Sequence, residues 1–467
     1  MNRIRLVLSC MLASAALAGC IPQKRVAWSP DGKVAAVVAA DGLRFFDPAG
    51  GLSAVLAPGV TQIEWFADGS RLLAVRDQQA RTWDEVTTVL TDDRRDDLMQ
   101  RAEQVRNDLL AYEGDWDHFD SSGFHGLNGA AKLAVVLYIR DYLSEGMPEK
   151  LGERWDKISE FSASIRSLEV LRVAGERVTP ATVILRTLDD VAWPRVSPDG
   201  RLVAFSRPAT EDEPFTRTQL VAPIRANAAP IEVARFTGLF PDWSADSREL
   251  VFASAGGELR KGDALQLGVI ARQTVTPAGD TVELGKEEPL AGILFDPMTR
   301  IRCLGDGRIL FASIELNLPC TDSDMPRRPS LFAIDPARQS TVTRLVPRQI
   351  EPKMTDMVTL FEVSPDEQRV TVPGSNGSLS VLTLANGEWQ EIYSGSDDGD
   401  SNKVRMVPTW RRNGELCFTV PPGSPLGSAD RHEVVLWSRG TTRCISKDWS
   451  DAVVRDFLLP EVKSESK

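Results

Sequence analysis

The sequence has few of the residues and motifs on which enzyme chemistry usually depends. It contains only three histidines among 467 residues, and His432 lies at the start of a predicted strand. There is no G-x-S-x-G motif to place a nucleophilic serine on a sharp turn, and no glycine-rich loop to hold a phosphate. The sequence therefore predicts no catalytic residue, no metal site and no cofactor.

Long hydrophobic runs are absent after the N-terminus, so no later segment is predicted to cross a bilayer. The N-terminus has Arg3 and Arg5 and then an apolar run over residues 6–17, which is typical of a signal peptide. The run ends in LAGC (17–20), which resembles the lipobox of bacterial lipoproteins. The resemblance implies a signal peptide over 1–19, palmitate on Cys20, a tether over 20–25 and, from Ile21, export to the outer membrane.

Basic residues are fewer than acidic residues. The chain has 54 Lys and Arg against 66 Asp and Glu, a net charge of −12. Removal of residues 1–19 would take away two arginines and leave −14. An acidic surface repels nucleic acid and anionic lipid, so we expect neither nucleic acid nor the lipid surface itself as a partner. An envelope protein is the expected partner, with the lipid on Cys20 as the contact to the membrane.

Cysteine is scarce, with six in the chain. Beyond Cys10 and Cys20 there are four, an even number that favours disulfides in an oxidising compartment. Four cysteines allow three connectivities, and the sequence does not choose among them. The shortest loop would pair Cys303 with Cys320 and leave Cys417 with Cys444. Against this last pair, both residues are predicted on alternate strands of one sheet. Two strand spacings of about 4.8 Å exceed the reach of a disulfide.

A short unit recurs along the chain. In each copy a polar turn, usually Asp-Gly, separates two runs of alternating apolar residues, which is the pattern of a β-hairpin. Most of the turns are 37 to 60 residues apart, compared with about 40–50 residues in a four-stranded propeller blade. The seven copies are VAWSPDGKVAAVVAADGLRFFDP (26–48), EWFADGSRLLAVRDQQARTWD (64–84), RVSPDGRLVAFSRP (195–208), DWSADSRELVFASAG (242–256), RCLGDGRILFASIEL (302–316), EVSPDEQRVTVPGSNGSLSVLTL (362–384) and TWRRNGELCFTV (409–420).

These copies resemble two kinds of propeller repeat. WSPDGKVAAVV and VSPDGRLVAFS are similar to the repeats of the TolB propeller, and the copy that ends on Trp83-Asp84 looks like a WD-repeat blade. The resemblance implies an all-β, seven-bladed β-propeller over residues 26–460, although six or eight blades remain possible. The run 452–460 is expected to supply much of the closing strand, and 461–467 would be a tail.

An α-helical insertion in the second blade is predicted over residues 91–175. Thr91 followed by two aspartates marks a helix start, and a second helix is predicted from Asn128 to Glu145. Pro148 would open a third, whose apolar positions are Leu151, Trp155, Ile158, Ile165 and Leu168. Two interpretations are open: the insertion packs on the propeller only as a decoration, or it binds a partner. The candidate partner-binding residues are Leu98, Val105, Trp116 and Trp155.

Two loops contain residue types that bind metals. GDWDHFDSSGFHG (114–126) holds Asp115, Asp117, His118, Asp120 and His125, and GSDDGDSN (395–402) resembles part of a calcium loop. Neither has the ligand spacing of an EF-hand or of a zinc helix. Both are therefore interpreted as polar connecting loops.

The predicted function is that of a non-catalytic platform for protein–protein contacts in the bacterial cell envelope. A receptor for a small ligand or glycan, bound in the central channel, is the first alternative. A propeller hydrolase or lyase is the second, and it would require carboxylates or histidines clustered at one mouth of the channel. Rigid scaffolds with variable loops host all three kinds of activity.

Overall fold

A computed structural model describes most of the chain between Lys24 and Ser450. The described residues are 24–48, 51–114, 116, 119–158, 160–209, 216–255, 266–295, 297, 299–314, 329–338, 341–346, 361–374, 378–394, 407–420, 424 and 431–450. Cys20, Cys320, the loop 395–402 and the run 452–460 lie outside the described residues. The described part is mostly β-strand.

The strands form seven successive antiparallel units of four strands, with a fifth short strand in the first unit. Within each unit, strands that follow one another in sequence are neighbours, apart from that fifth strand, which pairs with the third. Units 3 and 4 are joined into one eight-stranded sheet by a single pair, Thr237 with Ser254. Each unit is therefore built almost entirely from one continuous stretch of chain.

The strand bounds follow the repeats seen in the sequence. Unit 1 comprises β1 (Val26–Trp28), β2 (Ala35–Ala39), β3 (Gly42–Asp47), β4 (Gly51–Leu52) and β5 (Ala57–Pro58). Unit 2 comprises β6 (Val60–Trp65), β7 (Arg71–Ala80), β8 (Ala163–Ala174) and β9 (Arg177–Thr187). Unit 3 comprises β10 (Ala192–Val196), β11 (Leu202–Pro208), β12 (Arg217–Pro223) and β13 (Ile231–Thr237). Unit 4 comprises β14 (Asp242–Trp243), β15 (Glu249–Ser254), β16 (Gln266–Ala278) and β17 (Thr281–Phe295).

The last three units have the same order. Unit 5 comprises β18 (Ile301–Cys303), β19 (Ile309–Ile314), β20 (Pro329–Asp335) and β21 (Thr341–Arg344). Unit 6 comprises β22 (Glu362–Val363), β23 (Arg369–Pro373), β24 (Leu379–Thr383) and β25 (Trp389–Tyr393). Unit 7 comprises β26 (Thr409–Trp410), β27 (Leu416–Val420), β28 (Glu433–Ser438) and β29 (Thr441–Cys444). A short 3₁₀ helix, Pro336–Arg338, connects β20 and β21.

Hydrophobic cores lie between consecutive units, so the units pack in a cyclic series. Each of seven buried apolar clusters takes side chains from two neighbouring units. One of these clusters joins the ends of the described chain, because Val26, Trp28 and Phe46 of unit 1 pack with Leu436 and Trp449 near the end of unit 7. Burial of these faces removes apolar surface from water on both sides of every sheet. This is the packing that a propeller requires.

The turn between the first two strands of a unit is held by its own side chains. In unit 1 the Ser29 hydroxyl donates to Asp31 Oδ1 at 2.7 Å, and the Lys33 N–H donates to the same oxygen at 3.1 Å. Gly32 has φ +72°, a conformation that glycine adopts without strain. The predicted turn role of the Asp-Gly pair is confirmed here.

The described residues between β7 and β8 include five helices. They are α1 (Trp83–Thr87), α2 (Asp92–Ala111), α3 (Gly129–Tyr142), α4 (Met147–Leu151) and α5 (Glu153–Ile158), with a 3₁₀ turn at Ser122–Phe124. Thr91 and Asn128 cap α2 and α3, accepting hydrogen bonds from Arg94 N and Ala131 N. Both predicted helix starts are therefore confirmed. No helix in the described residues is long and apolar enough to cross a membrane.

The predicted third helix is wrong in its second half. Gly152, with φ 53° and ψ −131°, separates α4 from α5, and the helical residues end at Ile158. Ile165 and Leu168 lie on β8, which pairs with β7 from Ala163 opposite Ala80 onward. The helices thus occupy 83–158 rather than 91–175. A partner strand was available to residues 163–174, and the apolar spacing alone did not reveal it.

Candidate functional site

The first strands of units 2 to 6 each place a charged residue at the same position of the repeat. These residues are Glu64, Arg195, Asp242, Arg302 and Glu362, and in units 1 and 7 the position holds Ala27 and Thr409. The signs alternate from unit to unit. Since the units pack in a cyclic series, neighbours in this set belong to adjacent units, and opposite charges are brought side by side.

The five side chains form a continuous chain of ion pairs. Arg195 Nη1 lies 2.9 Å from Glu64 Oε1, and its Nη2 lies 2.6 Å from Asp242 Oδ1. Arg302 then lies 3.7 Å from Asp242 and 3.1 Å from Glu362. Asp242 and Glu362 are 6% and 5% exposed. Removing one partner of such a buried pair lowers the free energy of unfolding by about 3–5 kcal/mol. This row of ion pairs therefore links five units.

Two further cations contact the end of this chain at Glu362. Arg300 pairs with Glu362 and its guanidinium lies 5.4 Å from the centre of the Phe240 ring. Lys24 lies 3.9 Å from the same carboxylate. Glu362 is therefore shared by three cations, counting Arg302.

The charges shift the pKa values of these groups. Burial raises the pKa of Glu362, but the cations Arg300, Arg302 and Lys24 outweigh burial and hold it well below its usual range. Burial lowers the pKa of Lys24, and burial together with the neighbouring arginines lowers the pKa of Arg300 to about 9. Glu64 behaves differently, because burial raises its pKa in spite of Arg195.

Tryptophan side chains tie the same strands together. The indole N–H of Trp65 donates to Ala27 O at 2.9 Å, and that of Trp243 donates to Arg195 O at 3.0 Å. Trp410 donates to Glu362 O at 3.2 Å. In each case the acceptor belongs to an earlier unit in contact with the donor's unit. These bonds hold the charged position of one strand against the next strand.

A cavity of about 190 Å³ opens beside the charged chain. First-strand residues of units 1 to 5, or residues just before those strands, line it, among them four cations: Lys24, Arg195, Arg300 and Arg302. Glu64 is the only carboxylate among the described residues of the lining, and the aromatic walls are Trp28, Trp65, Trp193 and Phe240. The cavity is thus cationic and aromatic, whereas the whole protein is acidic.

Trp193 has a strained backbone at the wall of the cavity. Its φ is +54°, a region that bulky residues rarely occupy. Its N–H donates to Gln62 Oε1 at 2.8 Å, and its ring packs edge-on against Phe240 with centroids 4.6 Å apart. Such strain persists only where the surroundings hold it in place, and it concentrates at binding sites.

The helices over 83–158 form a second candidate site, with a core of their own. Leu98 and Val105 are fully buried in that core, and Trp116 and Trp155 pack against it half-buried. A partner could reach Leu98 or Val105 only by opening the core, so these two predicted contact residues are corrected to structural ones. The stripe that predicted the helix was its buried face.

The surface of this segment is strongly acidic. Residues 83–158 contain seventeen acidic and nine basic residues, a net charge of −8 out of −12 for the chain. On α2, Asp96 and Glu103 are both exposed and lie seven residues apart on one face. The exposed helix surface therefore has the charge to attract a basic partner.

The remaining predicted site residues are placed as follows. His125 and Asp120 lie 3.1 Å apart and exposed, while Asp115, Asp117 and His118 lie outside the described residues. Within the described residues no group of three metal-ligand side chains is assembled.

The cysteines of unit 7 do not form a disulfide. Cys417 on β27 and Cys444 on β29 are both free, and they belong to different hydrophobic clusters on the two faces of the sheet. Cys303 is bonded to no described cysteine, and burial raises the pKa of its thiol. Cys320 lies outside the described residues, so its pairing with Cys303 stays a prediction.

The charged chain was missed in the sequence, although a signal for it was present. Aligning the repeats on their turns places Glu64, Arg195, Asp242, Arg302 and Glu362 in one column, four residues before the turn aspartate. Alternating charge in one column of a cyclic repeat predicts pairing between units. The turns and apolar runs of the repeats do not by themselves reveal this column.

Comparisons with known proteins show a likeness at the level of structure. No protein-family model matches the chain, and no curated protein matches its sequence. A TolB protein from Agrobacterium tumefaciens is 12% identical, with 56% of this chain and 83% of that chain covered and a TM-score of 0.36. The β-propeller domain of Cps50 (Swd1) from Myceliophteria thermophila is 10% identical, with 88% and 96% covered and a TM-score of 0.46.

A peptidase is also among the similar structures. Acylaminoacyl peptidase from Pyrococcus horikoshii is 18% identical, with 60% of this chain covered and a TM-score of 0.34. The chain spans 41% of the length of that peptidase. At these identities and scores the likeness carries no inference about activity or partner.

Proposed function

We propose that this protein is a seven-bladed β-propeller that serves as a non-catalytic binding platform in the bacterial cell envelope, anchored to the outer membrane through lipid on Cys20. In this proposal the seven strand units are the blades, and the helices over 83–158 are an insertion in the second blade that contacts a protein partner. The observation that carries the proposal is the acidic helical segment, which has its own core and emerges from a continuous hairpin.

The hairpin does not need the segment for its own pairing. β7 and β8 are paired without interruption from Arg71 opposite Arg172 to Ala80 opposite Ala163, and two residues would suffice to connect them. The chain instead places 82 residues there, between Ala80 and Ala163, and most of the net negative charge with them. Insertions of this kind on a rigid scaffold commonly carry function. The charge favours a partner surface rich in Lys and Arg.

The proposed anchor would set the orientation of the ring. Lys24 lines the cavity, and Cys20 lies four residues before it, which is at most about 14 Å of extended chain. A lipid on Cys20 would therefore hold the cavity end of the ring close to the membrane surface. The expected effect of Cys20→Ser is release of the protein from the membrane fraction and loss of palmitate labelling.

A non-catalytic role is supported by the ion pairing of two carboxylates beside the cavity. Asp242 and Glu362 are each bonded to arginine side chains, which hold the pKa values of both carboxyl groups below their usual range. These two carboxylates stay ionised and paired, so they are poorly placed to donate a proton.

The test is charge reversal on the exposed face of α2. In Asp96→Lys/Glu103→Lys the helix core is untouched, and we expect crosslinking and affinity capture of the lipidated protein from solubilised envelopes to lose its specific partner. The control is Glu283→Lys/Glu287→Lys on β17, which makes the same charge change at exposed positions of unit 4 and should keep the partner. If both variants keep the partner, the segment does not make the contact.

A deletion gives an independent check. Residues 81–162 are replaced by Asn-Gly, which closes the β7–β8 hairpin with a two-residue turn. Some apolar surface is then uncovered, since Ala163, Ile165 and Leu188 belong to the core of the segment. A folded deletion variant, verified by circular dichroism, that still captures the partner would refute the proposed contact.

A further inference from the structure

The cavity beside the charged chain has more positive charge than its own carboxylates can balance. The part of the lining that the structure describes has four cations and one carboxylate. Glu64, that carboxylate, is occupied by Arg195 at 2.9 Å and by the Val196 N–H at 3.0 Å. Asp242 and Glu362 pair with these cations from outside the lining, so four cations face three carboxylates and one positive charge is left over. The field inside the cavity therefore favours an anion.

Among the lining cations, Lys24 is the one whose hydrogen-bond donors are most available to a ligand. Its side chain is 35% exposed, and its recorded carboxylate contact is Glu362 Oε1 at 3.9 Å. That same oxygen is already engaged by Arg300 and Arg302. An ammonium has three donors, and a carboxylate placed in the cavity would give them a closer acceptor. Arg300 is 5% exposed, and a buried cation of this kind also gains from a neighbouring anion.

The walls indicate what the rest of the ligand is. Four aromatic side chains line the cavity, and one of them, Trp193, is held there at a strained φ of +54°. Flat aromatic walls contact planar or apolar groups well. An apolar cavity of about 150 Å³ holds benzene, and this one measures about 190 Å³, so a ring or short chain with a carboxylate fits.

We propose that the cavity at the end of the ring is a binding site for a small organic carboxylate, with the anion against Lys24, Arg195 and Arg300 and the carbon body against Trp193 and Phe240. The site lies in the first strands of units 1 to 5, apart from the helices over 83–158. It goes beyond the proposed function, and either proposal can fail without the other.

The test is calorimetric titration of the purified full chain with phenylacetate. We expect saturable binding that weakens at least tenfold with phenylacetamide, which has the same shape without the charge, and that is absent with phenethylamine. Binding should also weaken as salt is raised. Equal binding of acid and amide, or no binding of phenylacetate up to tens of millimolar, would overturn the proposal.

Two variants tie the binding to this cavity. Lys24→Gln should weaken phenylacetate binding about tenfold, while the matched control Lys33→Gln, an exposed lysine in the first turn of the same unit, should leave it unchanged. Trp193→Gly removes the wall and suits the backbone, because glycine tolerates positive φ, so affinity should fall in a protein that remains folded. Unchanged affinity in both Lys24→Gln and Trp193→Gly refutes the site.

The carboxylate could belong to a free acid or to the C-terminus of a peptide. A tripeptide ending in Phe, with its C-terminus free or amidated, separates the two sources. Binding of the free peptide and not of the amide, together with binding of phenylacetate, supports a carboxylate site open to chain ends. Binding of phenylacetate alone supports a site for free acids.

Discussion

At the scale of single residues, two of the turns use a residue other than glycine in the left-handed region. Ser247 has φ 65° and Glu367 has φ 56°, at the position where other turns hold glycine. In both cases the side chain bonds the turn of the preceding unit. Ser247 Oγ accepts from the Asp199 N–H at 2.9 Å, and the Glu367 carboxylate accepts from the Gly305 N–H at 2.8 and 3.0 Å. The bond between units offsets the backbone strain.

This arrangement predicts an order of stabilities at position 247. Ser247→Ala keeps the strained φ and loses the bond to Asp199, so the free energy of unfolding should fall by about 1–2 kcal/mol. Ser247→Gly loses the same bond but removes the strain, so its loss should be smaller. Urea unfolding followed by tryptophan fluorescence measures both. An alanine variant at least as stable as the glycine variant would show that the turn is not strained.

Glu362 makes stability depend on acid. Its pKa is lower in the folded protein than in the unfolded chain, so as pH falls the unfolded chain takes up the proton first. The stability from this group is therefore present above the unfolded value of about 4.3 and is lost progressively below it. Asp242 adds in the same direction, because Arg195 and Arg302 outweigh burial and lower its pKa.

The expected result is a marked loss of stability of the natural protein between about pH 5 and pH 3. Glu362→Gln should be less stable at pH 7 by about 3 kcal/mol or more, since three cations lose their anion, and its stability should change less over that interval. The control Glu391→Gln removes an exposed carboxylate on β25 and should follow the natural protein. Unfolding curves of the natural protein and of both variants at a series of pH values measure these differences in stability.

At the scale of elements, the helical segment is held by close packing of a short turn on α2. Gly123 lies in the 3₁₀ turn, and a Cβ there would lie 2.7 Å from Val105 Cγ2 and 2.8 Å from Arg101 O. Around it, Arg101 donates to His125 O at 2.8 Å and Ser121 donates to Asp108 at 2.5 Å. The turn therefore depends on the absence of a side chain at position 123.

Gly123→Ala should destabilise the helical segment by about 1–3 kcal/mol through overpacking. The matched control is Gly292→Ala on β17, where a Cβ would meet nothing within 4 Å, and which should be near neutral. Limited proteolysis with mapping of the cut sites shows whether the loss is local to residues 83–158. Equal resistance of the two variants to protease would mean that the turn can yield without loss.

At the scale of the whole molecule, the ring closes through contacts between unit 7 and unit 1. Arg411 Nε donates to Gly32 O at 2.5 Å, and its guanidinium lies 4.9 Å from the centre of the Trp28 ring. The described strands of these two units belong to separate sheets, so closure in the described part comes from side-chain packing. The predicted closing strand, 452–460, lies outside the described residues.

Arg411→Ala should therefore lower the free energy of unfolding by about 1–2 kcal/mol, from the lost hydrogen bond and the lost cation–π contact. The neighbouring Arg412 is a control, because it is exposed and its bond to Pro30 O is longer, at 3.3 Å. Arg412→Ala should cost less than about 0.5 kcal/mol. Thermal unfolding measures the stability of both variants. A loss of stability in Arg412→Ala that equals or exceeds the loss in Arg411→Ala would argue against closure at Arg411.

The sequence predicted the features that depend on local interactions. Turns and helix caps depend on atoms only a few positions away in the sequence, so a single sequence is enough to predict them. Examples are the turn residues Ser29 and Asp31 and the helix caps Thr91 and Asn128. Apolar alternation also predicted the order of the strands. The resemblance to propeller repeats added the idea of a cyclic arrangement.

Tertiary structure decided whatever depends on contacts between units. The ion pairs from Glu64 to Glu362 join residues 47 to 131 positions apart in their separate links, and only the cyclic packing brings them together. The same holds for Leu98 and Val105, whose stripe predicts an apolar face but does not say what covers it. The sequence by itself determined hairpins, caps and charge, because these are local or additive. The pairing of charges, the cavity they surround and the burial of each face belong to the packed ring.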